Sequence, residues 1–128
     1  MEQAPIPRWQ VVTGWVLSGI LSLVFLPSAF FKVAQPAGFL EEWTKTYPAA
    51  SALPLGAVEL TLFALYLVPK TRYLGGLVML AYLGGAVATH LHAGDGLFFV
   101  PVLVGVVGWL GLYLRDRKLR ALVPTVHE

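Results

Sequence analysis

The chain has 128 residues, 57% of them hydrophobic and 12% charged, with nine Lys and Arg against seven Asp and Glu. An ordinary soluble domain carries roughly twice that share of charge. A mean hydropathy of +0.72 excludes a disordered chain, which needs low hydrophobicity and high net charge. The absence of cysteine excludes disulfide exchange, Cys-ligated zinc and iron–sulfur ligation by this chain's own residues.

Four apolar runs follow in order, at about 10–32, 51–69, 72–92 and 97–114. Each is close to the roughly 20 residues that cross a hydrocarbon core. The first is too long for the 7–15-residue apolar region of a signal peptide, and a cut after Ala29 would put Pro27 where a small residue belongs. It is therefore expected to be a retained span, with Pro27 removing one internal hydrogen bond and kinking its outer third. Pro54 and Pro101 fall near the starts of the second and fourth runs, where a missing N–H costs little. The links at 70–71 and 93–96 are so short that consecutive spans must be antiparallel neighbours. The expected fold is all-α, a single domain over residues 1–128 built as an antiparallel bundle of four transmembrane helices in contact with the lipid bilayer.

Lys and Arg divide unevenly between the two ends of such a bundle. Arg8, Lys70, Arg72, Arg115, Arg117, Lys118 and Arg120 share one end, and only Lys32 and Lys45 the other. The positive-inside rule then puts both termini in the cytoplasm. The dense run from Arg115 to Arg120 reads as a membrane-flanking tail; no basic stripe with interleaved aromatics marks a nucleic-acid partner. The longest link, 33–50, lies outside, where Trp43 and Tyr47 suit an interfacial cap on the bundle. Small residues recur at packing intervals: Gly14, Ser18 and Ser22; Ala81, Gly84, Gly85 and Ala88; Gly105, Gly108 and Gly111. In lipid such residues let helices approach closely, within one chain or across a homo-oligomer.

Ionisable groups inside spans are the exceptions that point to function. Glu59 lies eight residues into the second run, roughly 12 Å below its outer end at 1.5 Å per residue. An acidic group so placed costs about 2.5–3.5 kcal/mol on the insertion scale, so it must be protonated or partnered. Lys32, at the outer end of the first run, is the natural partner, with snorkelling to the interface as its alternative. In the third run Tyr82 and Thr89 share a stripe, and Tyr82 falls level with Glu59. His90 and His92 are about 200° apart around a helix, so they cannot both face one metal, and no metal site is expected. Haem ligation is disfavoured too, because no other span offers a histidine. Asp95, between two glycines, has the ordinary look of a turn residue.

These features, in this order, resemble a known family. Phe30-Phe31-Lys32 ends the first span, and Glu41, Glu42 and Tyr47-Pro48 occupy the outer link. Leu55-Gly56-Ala57-Val58-Glu59-Leu60 and Val68-Pro69-Lys70-Thr71-Arg72 follow, then Leu74-Gly75-Gly76, Thr89-His90, Gly94-Asp95 and the basic tail. The pattern resembles the DoxX-like family of small four-helix bacterial membrane proteins over nearly the whole chain. It departs at Pro27-Ser28-Ala29, where the family usually has Ser-Gly. The family takes its name from a thiosulfate:quinone oxidoreductase system, so the resemblance implies association with quinones or with a membrane redox partner protein.

Lys32, Glu59, Tyr82, Thr89 and His90 are thus the candidate ligand-binding residues, with a quinone-like molecule as the candidate cofactor. Glu59 and His90 are the candidate proton-transfer groups. An accessory or assembly subunit would use Glu59–Lys32 only as an internal staple. A small isomerase or hydrolase would use Glu59 and His90 as an acid–base pair. Transport has little support, because four short helices offer no broken-helix pair for alternating access.

Overall fold

A computed structural model describes residues 4–123. Its helices are α1 (Arg8–Ala34), α2 (Phe39–Trp43), a 3-10 turn at Ala49–Ser51, α3 (Ala52–Leu67), α4 (Arg72–Ala93), α5 (Phe99–Arg115) and α6 (Arg117–Leu122). The described residues contain no strand, so the all-α expectation holds. Three helices, over Arg8–Ala34, Ala49–Leu67 and Arg72–Ala93, are long and apolar enough to cross a membrane. The fourth, Phe99–Arg115, is apolar but has 17 residues, the lower edge of what a span requires.

Local chemistry sets the ends of these helices. α1 runs unbroken through Pro27. It stops at Gln35, whose left-handed backbone directs its N–H to the Phe31 carbonyl at 3.0 Å, immediately before Pro36. α3 ends where Val68 turns extended ahead of Pro69. Thr71 Oγ1 then donates to the Leu65 carbonyl at 2.9 Å, satisfying one of the acceptors a helix leaves free at its C-terminus. α4 ends on Gly94 at φ 66°, the left-handed position glycine occupies without steric cost.

The four long helices form a ring in which α1 packs on α3 and α5, and α4 on α3 and α5. Every adjacent pair is antiparallel. The start of α1 meets the end of α5, where a Cβ on Gly14 would lie 2.7 Å from the Gly111 carbonyl oxygen. Gly111 in turn faces Ser18. These contacts bear out the packing role read for Gly14, Ser18, Gly105, Gly108 and Gly111, all of them buried. In α4 the glycines that pack inside the chain are different ones. A Cβ on Gly84 or Gly85 would meet nothing within 4 Å, whereas Gly75 and Gly76 are the buried ones. At Gly75 a Cβ would collide with the Leu65–Tyr66 backbone.

The core is small and sits between the helices: Leu21 and Phe25 of α1, Leu62, Phe63 and Tyr66 of α3, Met79 and Leu83 of α4, and Leu112 of α5. Tyr66 is wholly buried. Its hydroxyl donates to the Gly108 carbonyl at 2.6 Å and lies 3.1 Å from Ser18 Oγ, joining α3 to α5 and α1. The outward faces are apolar as well, with Leu23 76% and Leu77 63% exposed. A water-soluble bundle would place polar residues there, whereas lipid accepts these faces.

Candidate functional site

The Gly-x-x-Glu segment explains how a carboxylate comes to be buried next to a lysine. Gly56 is buried against the last turns of α1; a Cβ there would fall 2.8 Å from Val33 Cγ2 and 2.9 Å from Lys32 Cβ. With hydrogen at that position the two helices close up. One turn further along α3, Glu59 then reaches the same face of α1. It is 4% exposed.

Lys32 Nζ donates to Glu59 Oε1 at 2.9 Å and Oε2 at 3.2 Å, so the partnership expected from the sequence is present. Two further groups converge on the same oxygen. Tyr82 Oη of α4 donates to Oε1 at 2.6 Å, and Ser28 Oγ lies 3.3 Å from it. Lys32 Nζ also donates to Ser28 Oγ at 2.5 Å. Glu59 is therefore held by α1 and α4 together, and its level match with Tyr82 follows from the antiparallel run of α3 and α4. Ser28 had no site role in the sequence reading. Its signal was present: it lies four residues before Lys32, hence on the same helical face.

This polar cluster forms one wall of a cavity of about 590 Å³, lined elsewhere by Val24, Phe25, Leu83, Val100 and Val104 among others. The 33–50 link lends two aromatic residues to it. Trp43 stacks between Phe39 and Tyr47, at centroid distances of 5.6 and 4.5 Å. Its Nε1 donates to the Pro48 carbonyl and to Ser51 Oγ, both at 3.2 Å. Lys32 Nζ lies 5.8 Å from the Trp43 ring centroid, and Trp43 and Tyr47 both line the cavity.

The remaining candidates also line the cavity, but on separate terms. Thr89 is exposed and spends its hydroxyl on the Gly85 carbonyl at 2.9 Å. His90 Nδ1 lies 2.7 Å from Asp95 Oδ2. Asp95 Oδ1 accepts from the Leu97 N–H at 2.8 Å, so Asp95 orients a histidine as well as closing a turn. That N–H and the His90 contact hold the Asp95 carboxyl below its usual range. The Tyr47 phenol is pushed up by burial and by the charge of Asp95. No hydrogen bond joins Glu59 to His90 among the described residues, and His92 is exposed. Among the described residues no group of three His, Asp or Glu side chains could hold a metal ion.

A family model described as the DoxX-like family matches residues 16–111. The chain belongs to the DoxX-like family. No curated protein and no solved structure matches it. The match takes in all five candidate residues together with Ser28 and Asp95, so the polar cluster and the cavity both lie inside the DoxX-like segment. α6 and the first turns of α1 fall outside it.

Proposed function

We propose that this DoxX-like protein binds a small hydrophobic molecule, quinone-like in having a polar carbonyl or hydroxyl head on an apolar body, and that it serves a membrane redox system. The observation that carries this reading is the cavity itself. Its volume of about 590 Å³ falls within the range of small-molecule sites, which combine apolar walls with a few convergent polar groups. Here the polar groups are Lys32, Glu59, Tyr82 and His90, and the walls come from α1, α3, α4 and α5.

The residues suit such a head group. Tyr82 and Lys32 carry hydrogens that can turn from Glu59 to a ligand oxygen, and Glu59 can hold a proton when they do. His90, with Nδ1 taken by Asp95, has Nε2 free to accept or donate at the rim. A bound quinone would supply two-electron, two-proton chemistry; the chain's own part is to orient the head and hold protons beside it. In this reading the seven-to-two division of Lys and Arg puts the cavity in the outer half of a bacterial plasma membrane and both termini in the cytoplasm.

The test is the identity of what co-purifies. Protein isolated in mild detergent is extracted with organic solvent and its small molecules identified by mass spectrometry. The expected result is about one lipophilic carbonyl compound per chain, lost in Tyr82→Phe, which removes one hydroxyl and keeps the ring packed edge-on to Phe25 at 6.2 Å. Bulk phospholipid alone would overturn the proposal.

One observation favours a second reading. Each oxygen of Glu59 already has a donor within the chain, which is what a structural staple in an accessory subunit requires. In that case Tyr82→Phe would lower the melting temperature and change nothing in the extract.

A further inference from the structure

At the end opposite the cavity, where α1 begins and α5 passes into α6, a second recess of about 410 Å³ is lined by Arg72, Arg115, Arg117 and Lys118, with Asp116 as its single carboxylate. Asp116 is partnered, although its Oδ2 makes no hydrogen bond among the described residues. It pairs with Arg72, and its Oδ1 accepts from Tyr73 Oη at 2.7 Å and from the Leu119 N–H at 2.9 Å. Among the described residues the other three cations form no ion pair.

Arg115 is the telling member. Its guanidinium stacks 4.1 Å from the Trp15 ring centroid and 5.5 Å from that of Tyr66. Its Nε and Nη2 are nevertheless buried with no acceptor among the described residues, as is Arg72 Nε. Buried donors without acceptors are costly, and a guanidinium fork matches the oxygens of a phosphate. The recess also lies at the depth where an interface would run. Trp9 and Trp15, on the opening turns of α1, are 65% and 51% exposed, as aromatic residues of a membrane boundary are.

We infer that this recess binds a phosphate-bearing anion, with the Arg115 guanidinium as its hydrogen-bonding fork and Arg117 and Lys118 as its outer cations. A phospholipid headgroup brings that chemistry to the membrane boundary; free phosphate brings it from solution. The site is independent of the cavity and of any ligand held there.

Native mass spectrometry of the full chain in detergent, titrated with phosphatidylglycerol or phosphatidylcholine, tests it. The expected result is one phosphatidylglycerol retained in preference to phosphatidylcholine. Each cation removed should weaken retention by about fivefold, the equivalent of roughly 1 kcal/mol per Lys or Arg near an anionic surface. Arg117→Gln with Lys118→Gln is the variant of choice, because both side chains are exposed and the bundle does not depend on them. Arg115→Lys keeps the charge but not the fork and should lose part of the preference.

If millimolar inorganic phosphate displaces the lipid and alone raises the melting temperature in wild type but not in Arg117→Gln/Lys118→Gln, the site is supported and its anion comes from solution. Equal retention of the two lipids by wild type with no stabilisation by phosphate would overturn the inference. So would undiminished retention by Arg117→Gln/Lys118→Gln.

Discussion

Lys32 and Glu59 form a two-pronged ion pair across the α1–α3 contact, with side chains only 12% and 6% exposed. Removing either partner leaves the other charge buried and unmatched, and such losses run to about 3–5 kcal/mol. Lys32→Ala and Glu59→Ala should each lower the melting temperature strongly, and the double variant should cost little more than either alone. Additive losses, measured by thermal unfolding in one detergent, would show that the two side chains act separately.

Gly56 offers a second test of the same contact. Because a Cβ there meets Val33 and Lys32 side chains below 3 Å, Gly56→Ala should push α3 away from α1 and loosen the pair. The expected cost is about 1–3 kcal/mol, the usual range for overpacking. Gly84→Ala, made on a face where nothing lies within 4 Å, should leave the melting temperature unchanged. A similar loss in both variants would contradict the packing described for α3 and α4.

Tyr66→Phe removes the hydroxyl that joins α3 to the Gly108 carbonyl while keeping the ring. A buried hydrogen bond of this kind contributes about 1 kcal/mol net, and thermal unfolding should show a loss of that order. Ser18→Ala should add less on top of it, since Ser18 Oγ also bonds the Gly14 carbonyl of its own helix at 2.9 Å.

Acid should weaken the end of the bundle that carries α6. Burial opposes the charge on Asp116, but hydrogen bonds from Tyr73 and Leu119 and the nearby Arg72 outweigh it and hold the carboxyl below the ordinary aspartate range. A carboxylate whose folded value is depressed contributes stability above its unfolded value and loses it as pH falls through the folded one. Protection of α6 against hydrogen exchange, taken relative to the intrinsic exchange rate at each pH, should therefore fall at acid pH, and Asp116→Asn should lower it already at neutral pH. Exchange over α6 unaffected by that substitution would remove Asp116 as its anchor.

Much of this was legible because the strongest signals are local or one-dimensional. Uninterrupted apolar runs with short links dictate an antiparallel bundle, and a lone carboxylate in such a run demands a partner from the few cations near its depth. Lys32 and Tyr82 were found in that way. What escaped were features that depend on rotation about helix axes. Ser28 is an ordinary small polar residue until α1 is turned to face Glu59. Gly84 and Gly85 fit packing within the chain or between copies equally well until α4 is turned to place Gly75 and Gly76 inward, which removes the first. The Asp95–His90 contact escaped for another reason, since it depends on the left-handed Gly94 folding the loop back onto α4.

The four-residue knot of Ser28, Lys32, Glu59 and Tyr82 also bears on how the chain enters the membrane during synthesis. Lys32 emerges before Glu59, and Tyr82 after both. A segment with a lone carboxylate near its middle is penalised when it meets lipid by itself; α3 meets it with α1 already in place, so the carboxylate can be neutralised on arrival. The partner of the later carboxylate is thus supplied by the earlier helix, and Tyr82 of α4 is the last of the four to join the cluster.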